Sequence, residues 1–259
     1  MHFVGQDLLY ALRRLRKAPA FTALVVVTLA LGMGSAAAIF SVFDAVLLKP
    51  LPFRDAERLL VIWEKNPAQN RYRLFVPPVN FLAWQQQSRA LEQMAAIQDV
   101  HINLTGGTNG HIDAEELKCE RVSATLFPLL GVEAKVGRTF RADEDQPGRT
   151  NFAMLSYSLW QRRFGADPAI AGKTIRLRNE PYAVVGVLPA NFAVLESDVD
   201  VFIPIGLNAG DARSANNRFL TVIARRRAGL DAVRSELESI GAQMEKALPA
   251  LNAGSRPSV

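Results

Sequence analysis

One cysteine, Cys119, is too few for an intramolecular disulfide or a cysteine-based metal site. Cys119 sits in the alternating stretch Glu116–Val122, where a small buried hydrophobe is expected. The three histidines, His2, His101 and His111, lack the spacing of metal ligands. No serine or cysteine occupies a nucleophile motif. Gly165–Thr174 has six residues between its glycines instead of the four of a phosphate-binding loop, and it lies between a helix and a strand in the wrong order, so it reads as a turn. Asp143, Glu144 and Asp145 lack the calcium-loop pattern and read as a solvated loop. No catalytic, cofactor or metal constellation remains, so neither an enzyme nor a cofactor is expected.

A concentrated positive charge is also lacking. Of the net +5, residues 1–49 carry +3 and residues 50–259 only +2. The basicity lies beside an apolar run, where anionic headgroups account for it, and nucleic acid is not expected as a partner. Arg225, Arg226 and Arg227 end a strand and read as a solvated edge that discourages pairing. Asn103-Leu104-Thr105 is a glycosylation sequon by pattern only.

Charge of either sign is missing altogether from residues 18–43. As a helix this run would be roughly 39 Å long, more than the roughly 30 Å hydrocarbon core of a bilayer. Phe21, Gly32, Gly34, Ala38 and Phe43 fall within it. Gly32/Ala36 and Gly34/Ala38 are small residues four apart, the spacing that lets helices pack closely in lipid. A cleaved signal sequence is the rival reading, but signal cores are shorter and this run resumes after Asp44 through Leu48. Arg13, Arg14, Arg16 and Lys17 precede the run, whereas Lys49, Arg54 and Arg58 after it are diluted by Asp55 and Glu57. The positive-inside rule places the N-terminus in the cytoplasm and residues 50–259 outside. Residues 4–17 carry Leu8, Leu9, Leu12 and Leu15 on one face and predict an amphipathic entry helix on the inner leaflet.

Beyond the span, periodicity predicts an α+β fold. Leu59–Glu64 reads as a strand. A helix runs from Pro77-Pro78 to about Leu91, with Phe81, Trp84 and Leu91 inward. Strands at Met94–Leu104 and Asp113–Val122 flank a turn at Thr105–Gly110. A short helix, Ala124–Leu130, stops at Gly131. These elements form a β-α-β-like lobe with its helices on one face. A mostly-β texture follows: strand Asn151–Leu155, helix Tyr157–Phe164, strands Lys173–Arg178 and Tyr182–Leu188 joined by Asn179-Glu180-Pro181, and strand Asp200–Ile205. Strand Phe219–Arg225 and an amphipathic helix from Leu230 to Leu248 return to the first style. The second lobe, about 136–213, is therefore expected as an insertion into a first lobe built from about 50–135 and 214–259.

Three stretches, Asp7–Ala23, Thr28–Val42 and Val46–Phe53, resemble the opening of permeases of the MacB/FtsX-like ABC transporter family, in particular the large duplicated permeases of acidobacteria. Gly137–Phe140, Gly172–Leu177 and Tyr182–Pro189 are similar to the family's periplasmic core domain. The resemblance covers essentially the whole chain. It implies an inner-membrane protein with a porter-like lobe interrupted by a second lobe. Its partners would be the lipid bilayer, a cytoplasmic ABC ATPase subunit, a second permease copy and a periplasmic protein. Its function would be export or mechanical transmission of ATPase-driven motion. It also implies further membrane helices after Val259, so the chain is expected to be a fragment. The alternative is a single-pass, membrane-anchored module that binds a ligand or partner outside. For the permease, the basic helix (Leu8, Leu12–Arg16) and the helix Leu230–Leu248 are expected to be the two ends of one lever.

Overall fold

The computed structural model describes residues 18–43, 53–106, 115–190, 192–195, 198–207 and 218–259. The charge-free run forms helix α1, Pro19–Phe43, long and apolar enough over Pro19–Ser41 to cross a membrane. Its hydroxyls are satisfied internally: Thr22, Thr28 and Ser35 donate to carbonyls one turn back, at Ala18, Leu24 and Leu31, at 2.8–3.0 Å. Hydroxyl groups held in this way carry no unmet hydrogen bond into an apolar medium. The expected entry helix at 4–17 and the run Asp44–Leu48 lie outside the described residues.

Residues 53–259 form a separate unit. Its strands are β1 (Leu59–Asn66), β2 (Arg71–Leu74), β3 (Leu91–Gly106), β4 (Glu115–Val122), β5 (Val136–Gly137), β6 (Phe152–Leu155), β7 (Thr174–Leu177), β8 (Glu180–Val187), β9 (Val201–Pro204), β10 (Thr221–Arg226) and β11 (Arg256–Ser258). The helices are α2 (Pro78–Gln87), α3 (Leu126–Leu130), α4 (Tyr157–Phe164), α5 (Leu230–Ala247) and α6 (Pro249–Asn252). Among the described residues the strands join in one sheet, in the order β11-β1-β10-β3-β4-β9-β6-β8-β5, with β2 on β1 and β7 on β3 and β8.

The period-2 alternation of β3 sets the layers. Met94 and Ala96 join Ile62, Val222 and Ala224 in a core covered by Phe81 and Trp84 of α2 and by Val233, Leu237, Ile240 and Met244 of α5. Ala95 and Ile97 join Val122, Ile223 and Phe202 under Leu126 and Phe127 of α3. The helices therefore lie on both faces, which corrects the expectation of one. A further core gathers Leu104, Leu117, Cys119, Leu155, Val184 and Val201 with Leu159 and Trp160 of α4. β3 reaches all three clusters: it pairs with β10 at its start, β4 along its length and β7 at its end.

Several boundaries moved for local reasons. α2 stops at Gln87, because Ser88 is extended (φ −72°, ψ 134°), and Leu91 opens β3 instead of closing a helix. Thr105 and Gly106 belong to β3, not to a turn. The β7–β8 hairpin turns at Arg178 (φ +51°) and Asn179 (φ +66°), while Glu180 and Pro181 already pair in β8. Two consecutive left-handed residues match the twist of a tight hairpin better than a proline corner does.

Candidate functional site at the two ends of strand β1

The expected membrane residues occupy α1: Phe21, Gly32, Gly34 and Ala38 are exposed along it, and Phe43 is its last residue. Where a Cβ would point, Gly32 and Gly34 have open space. Arg13, Arg14, Arg16 and Lys17 lie outside the described residues.

In the sheet unit, buried polar groups concentrate where β1 begins and where it ends. At its start, Arg225 of β10 is 4% exposed. Its guanidinium donates to the carbonyls of Arg54 (2.6 Å), Leu129 (2.5 Å) and Asp55 (3.3 Å), and it lies 3.4 Å from the Asp55 carboxylate. The Arg54 N–H donates to Leu130 (3.1 Å). Gly131, at φ +71°, allows the close approach: a Cβ there would stand 2.6 Å from that of Arg54. Arg58 adds bonds to the Arg226 carbonyl (2.8 and 3.0 Å) and the Glu92 carboxylate (2.5 Å). The incoming chain is thus fastened to α3 and β10 by fixed donors. Arg225 is not at a solvated edge; β10 runs between β1 and β3, so it is an interior strand.

At the other end, Glu64 is 1% exposed. One oxygen pairs with Arg218 and the other accepts from Asn80 Nδ2 at 2.6 Å. Asn80 also bonds Asn252 (2.7 Å), which donates in turn to the Met244 carbonyl (3.3 Å). Arg218 continues to the Leu251 carbonyl (2.8 Å) and Ser255 Oγ (3.1 Å). Asn66 donates to Ala253 (3.0 Å). Glu245 receives the Gly254 N–H (2.8 Å), and Arg256 pairs with it at 2.6 Å. Those two donors hold the Glu245 carboxyl below its ordinary value. Gly241 lets β11 rest on α5, since a Cβ there would stand 2.6 Å from Pro257 Cδ. This cluster ties β1, α2, α5 and the segment Leu251–Ser258 into one block.

The acidic loop is also more than a solvated one. Glu144 is buried and forms a two-pronged pair with Arg138 (2.5 and 2.8 Å), and it accepts the Arg141 N–H (2.9 Å). Burial alone would raise its carboxyl, but these bonds outweigh burial and hold it low. Asp145 bridges the Ala124 N–H (2.8 Å) and the Gly206 N–H (2.7 Å); burial still raises its carboxyl despite them. Cys119 is buried in the core, and desolvation pushes its thiol up to about 12. Among the described residues, no group of three or more His, Cys, Asp or Glu side chains is placed to hold a metal. His101 faces Glu116 at 3.5 Å on the surface, and His2 and His111 lie outside the described residues.

Sequence reading missed Glu64, Asn80, Arg218, Arg225 and Asn252. Parity carried a signal for three of them. Glu64 is in phase with Ile62 in β1, Arg225 is in phase with Ile223 in β10, and Asn80 precedes Phe81 and Trp84 on the inward face of α2. Arg218 and Asn252 sit in irregular segments where no period applies.

A membrane-length apolar helix followed by a sheet-rich α/β unit is the architecture here, and its fold is that of the periplasmic domains of ABC-type transporter permeases. The structure matches the extracellular domain of YknZ, a noncanonical ABC-type transporter of Gram-positive bacteria (TM-score 0.52, 12% identity, 78% of this chain and 100% of that one). It matches a domain from a Porphyromonas gingivalis protein described as a permease (TM-score 0.55, 17% identity, 80% and 90%). It also matches the periplasmic region of MacB from Actinobacillus actinomycetemcomitans (TM-score 0.52, 13% identity, 78% and 88%). No curated protein matches the sequence. Residues 22–240 match the MacB-like periplasmic core domain, and the chain belongs to that family.

Proposed function

We propose that this chain is the membrane-anchored, periplasmic part of a permease that carries ATPase-driven motion out of the cytoplasm, for export or for mechanical work. The observation that carries the reading is the extent of the family match, which begins inside α1 and runs through the sheet unit to α5. In this reading α1 spans the inner membrane, with the N-terminus and Arg13, Arg14, Arg16 and Lys17 inside and residues 50–259 in the periplasm. A cytoplasmic ABC ATPase docks on the N-terminal side, and Gly32 and Gly34 pack against a helix of the same or a second permease copy. The unit divides into a porter-like lobe (50–135 and 214–259) and an inserted lobe (136–213). The two fastenings on β1 support a mechanical role. Rotation or displacement arriving through the chain before Leu59 meets fixed guanidinium–carbonyl bonds instead of a loop, and Glu64, Arg218 and Asn252 pass it to α5 and the C-terminal segment.

The test is made on the full-length gene product in its native membrane. Alkaline phosphatase fused after Gly210 is expected to be active and, after Arg16, inactive. The tagged permease is expected to co-purify with vanadate-sensitive ATP hydrolysis, and Gly32→Leu with Gly34→Leu to uncouple transport while insertion persists. An active fusion after Arg16 would reverse the topology. Absence of ATP hydrolysis in the purified protein would leave the single-pass binding module as the function.

A further inference from the structure

The hairpin formed by β1 and β2 joins the second fastening through Glu64 and Asn66, but its outward side chains Lys65, Arg71, Tyr72, Arg73 and Phe75 take no part in either fastening. From Lys65 to Leu91 the chain carries no acidic residue. Lys65, Arg71 and Arg73 stand on the hairpin, and among the described residues no carboxylate lies within ion-pair distance of them. Tyr72 is 64% exposed and Phe75 47%. Arg73 lies over the Trp63 ring at 4.9 Å, and Trp63 and Phe75 are 5.9 Å apart between centroids. The tip is held in shape: Asn66 accepts the Gln69 N–H (3.2 Å), and Asn70 takes the left-handed conformation at φ +58°. Preformed aromatic and arginine side chains are what protein contacts select, because ordering them on binding costs little.

We propose that this hairpin is a docking surface for an acidic, apolar-edged segment of another protein. The occupant follows from charge. A second copy of the same hairpin would bring three unpaired cations against three more, which is repulsive. A lipid surface fits less well, because anionic headgroups are recruited by clusters of about four to eight Lys or Arg, and this hairpin carries three, Lys65, Arg71 and Arg73. The Arg residues supply planar donors for carboxylates, and Tyr72 and Phe75 supply contact area. The proposal rests on the reading above only in leaving this surface free outside the membrane.

The test uses the whole chain in zwitterionic nanodiscs, so it does not depend on topology or on an ATPase. The probe is a labelled amphipathic peptide with Glu on one face and Leu on the other, measured by anisotropy beside the same peptide with Gln for Glu. The Glu peptide is expected to bind at least tenfold tighter, to weaken with salt, and to lose about tenfold with Arg71→Glu and Arg73→Glu together. Tyr72→Ala with Phe75→Ala is expected to weaken both peptides. Because these four residues are exposed, circular dichroism of the variants should match the parent. Equal binding of the two peptides, or no effect of charge reversal, would overturn the proposal. Preferential binding to phosphatidylglycerol vesicles, lost on the same charge reversal, would overturn it in favour of a membrane surface.

Discussion

Replacing Arg218 by Met should be among the most damaging changes available in the sheet unit, and the reason is its partner. The Glu64 side chain is 2% exposed and that of Arg218 20%. Removing the guanidinium leaves the carboxylate buried with only Asn80 as a donor, and an unpaired buried charge costs about 3–5 kcal/mol. Against a typical stability of about 5–15 kcal/mol this is a large share, and for a unit of this size it should lower Tm by about 10 °C. Glu64→Met should cost less, about 1–3 kcal/mol, because Arg218 reaches solvent and keeps the Leu251 carbonyl and Ser255 Oγ. Combining the two should recover part of the Arg218→Met loss, since the stranded charge is gone. Guanidinium unfolding of the detergent-solubilised chain, followed by tryptophan fluorescence, gives all three values. Two costs that simply add, or an Arg218→Met cost below about 1 kcal/mol, would refute the account of the cluster.

Cys119 should resist iodoacetamide at pH 8 in the native chain and react on unfolding. Its thiol titrates near 12 when folded and near 9.0 in its ordinary state, so stability should be whole below about pH 9 and fall as pH rises from there toward 12, a loss absent in Cys119→Ala. Glu144 has the opposite sign. Its folded carboxyl lies below the ordinary 4.5, so its contribution is present above that value and lost as pH falls through the lowered one; Glu144→Gln should flatten the acid limb of the stability curve. Gly186→Ala should cost about 2–4 kcal/mol by thermal unfolding, because its Cβ would sit 2.4 Å from the Arg138 carbonyl and must part β5 from β8.

Elements with a strong period were legible in the sequence. α1 followed from the absence of charge, α5 from Val233, Leu237, Ile240 and Met244, and α4 was expected over the residues it occupies. β2 and β11 were not expected, since Arg71–Arg73 and Arg256–Ser258 lack an apolar alternation and pair only because β1 offers them an edge. Pro181 drew the hairpin turn to itself, although the left-handed Arg178 and Asn179 make it. The fastenings were hidden for a different reason. A charged residue is read as solvated by default, and only the acceptors around Arg225 and the donors around Glu144 reveal why the two are inside. The acceptors of Arg225 come from residues up to 171 positions away in sequence, beyond any local pattern.

The place of β10 governs the order in which the domain can be made. Its residues 221–226 lie between β1 and β3, whose paired segments begin at Leu59 and Leu91. Until the ribosome has released Arg226, those two strands have an empty seat between them, and the apolar rows of each remain unpaired. The membrane-length helix α1 is therefore made long before the unit that follows it can close. Pairings so distant in sequence are slow to form, and the unfinished strands spend that interval as open edges that other chains can join. A chain interrupted before β10 would carry a complete apolar helix and a sheet split down its middle, which is a substrate for proteolysis rather than a smaller working domain.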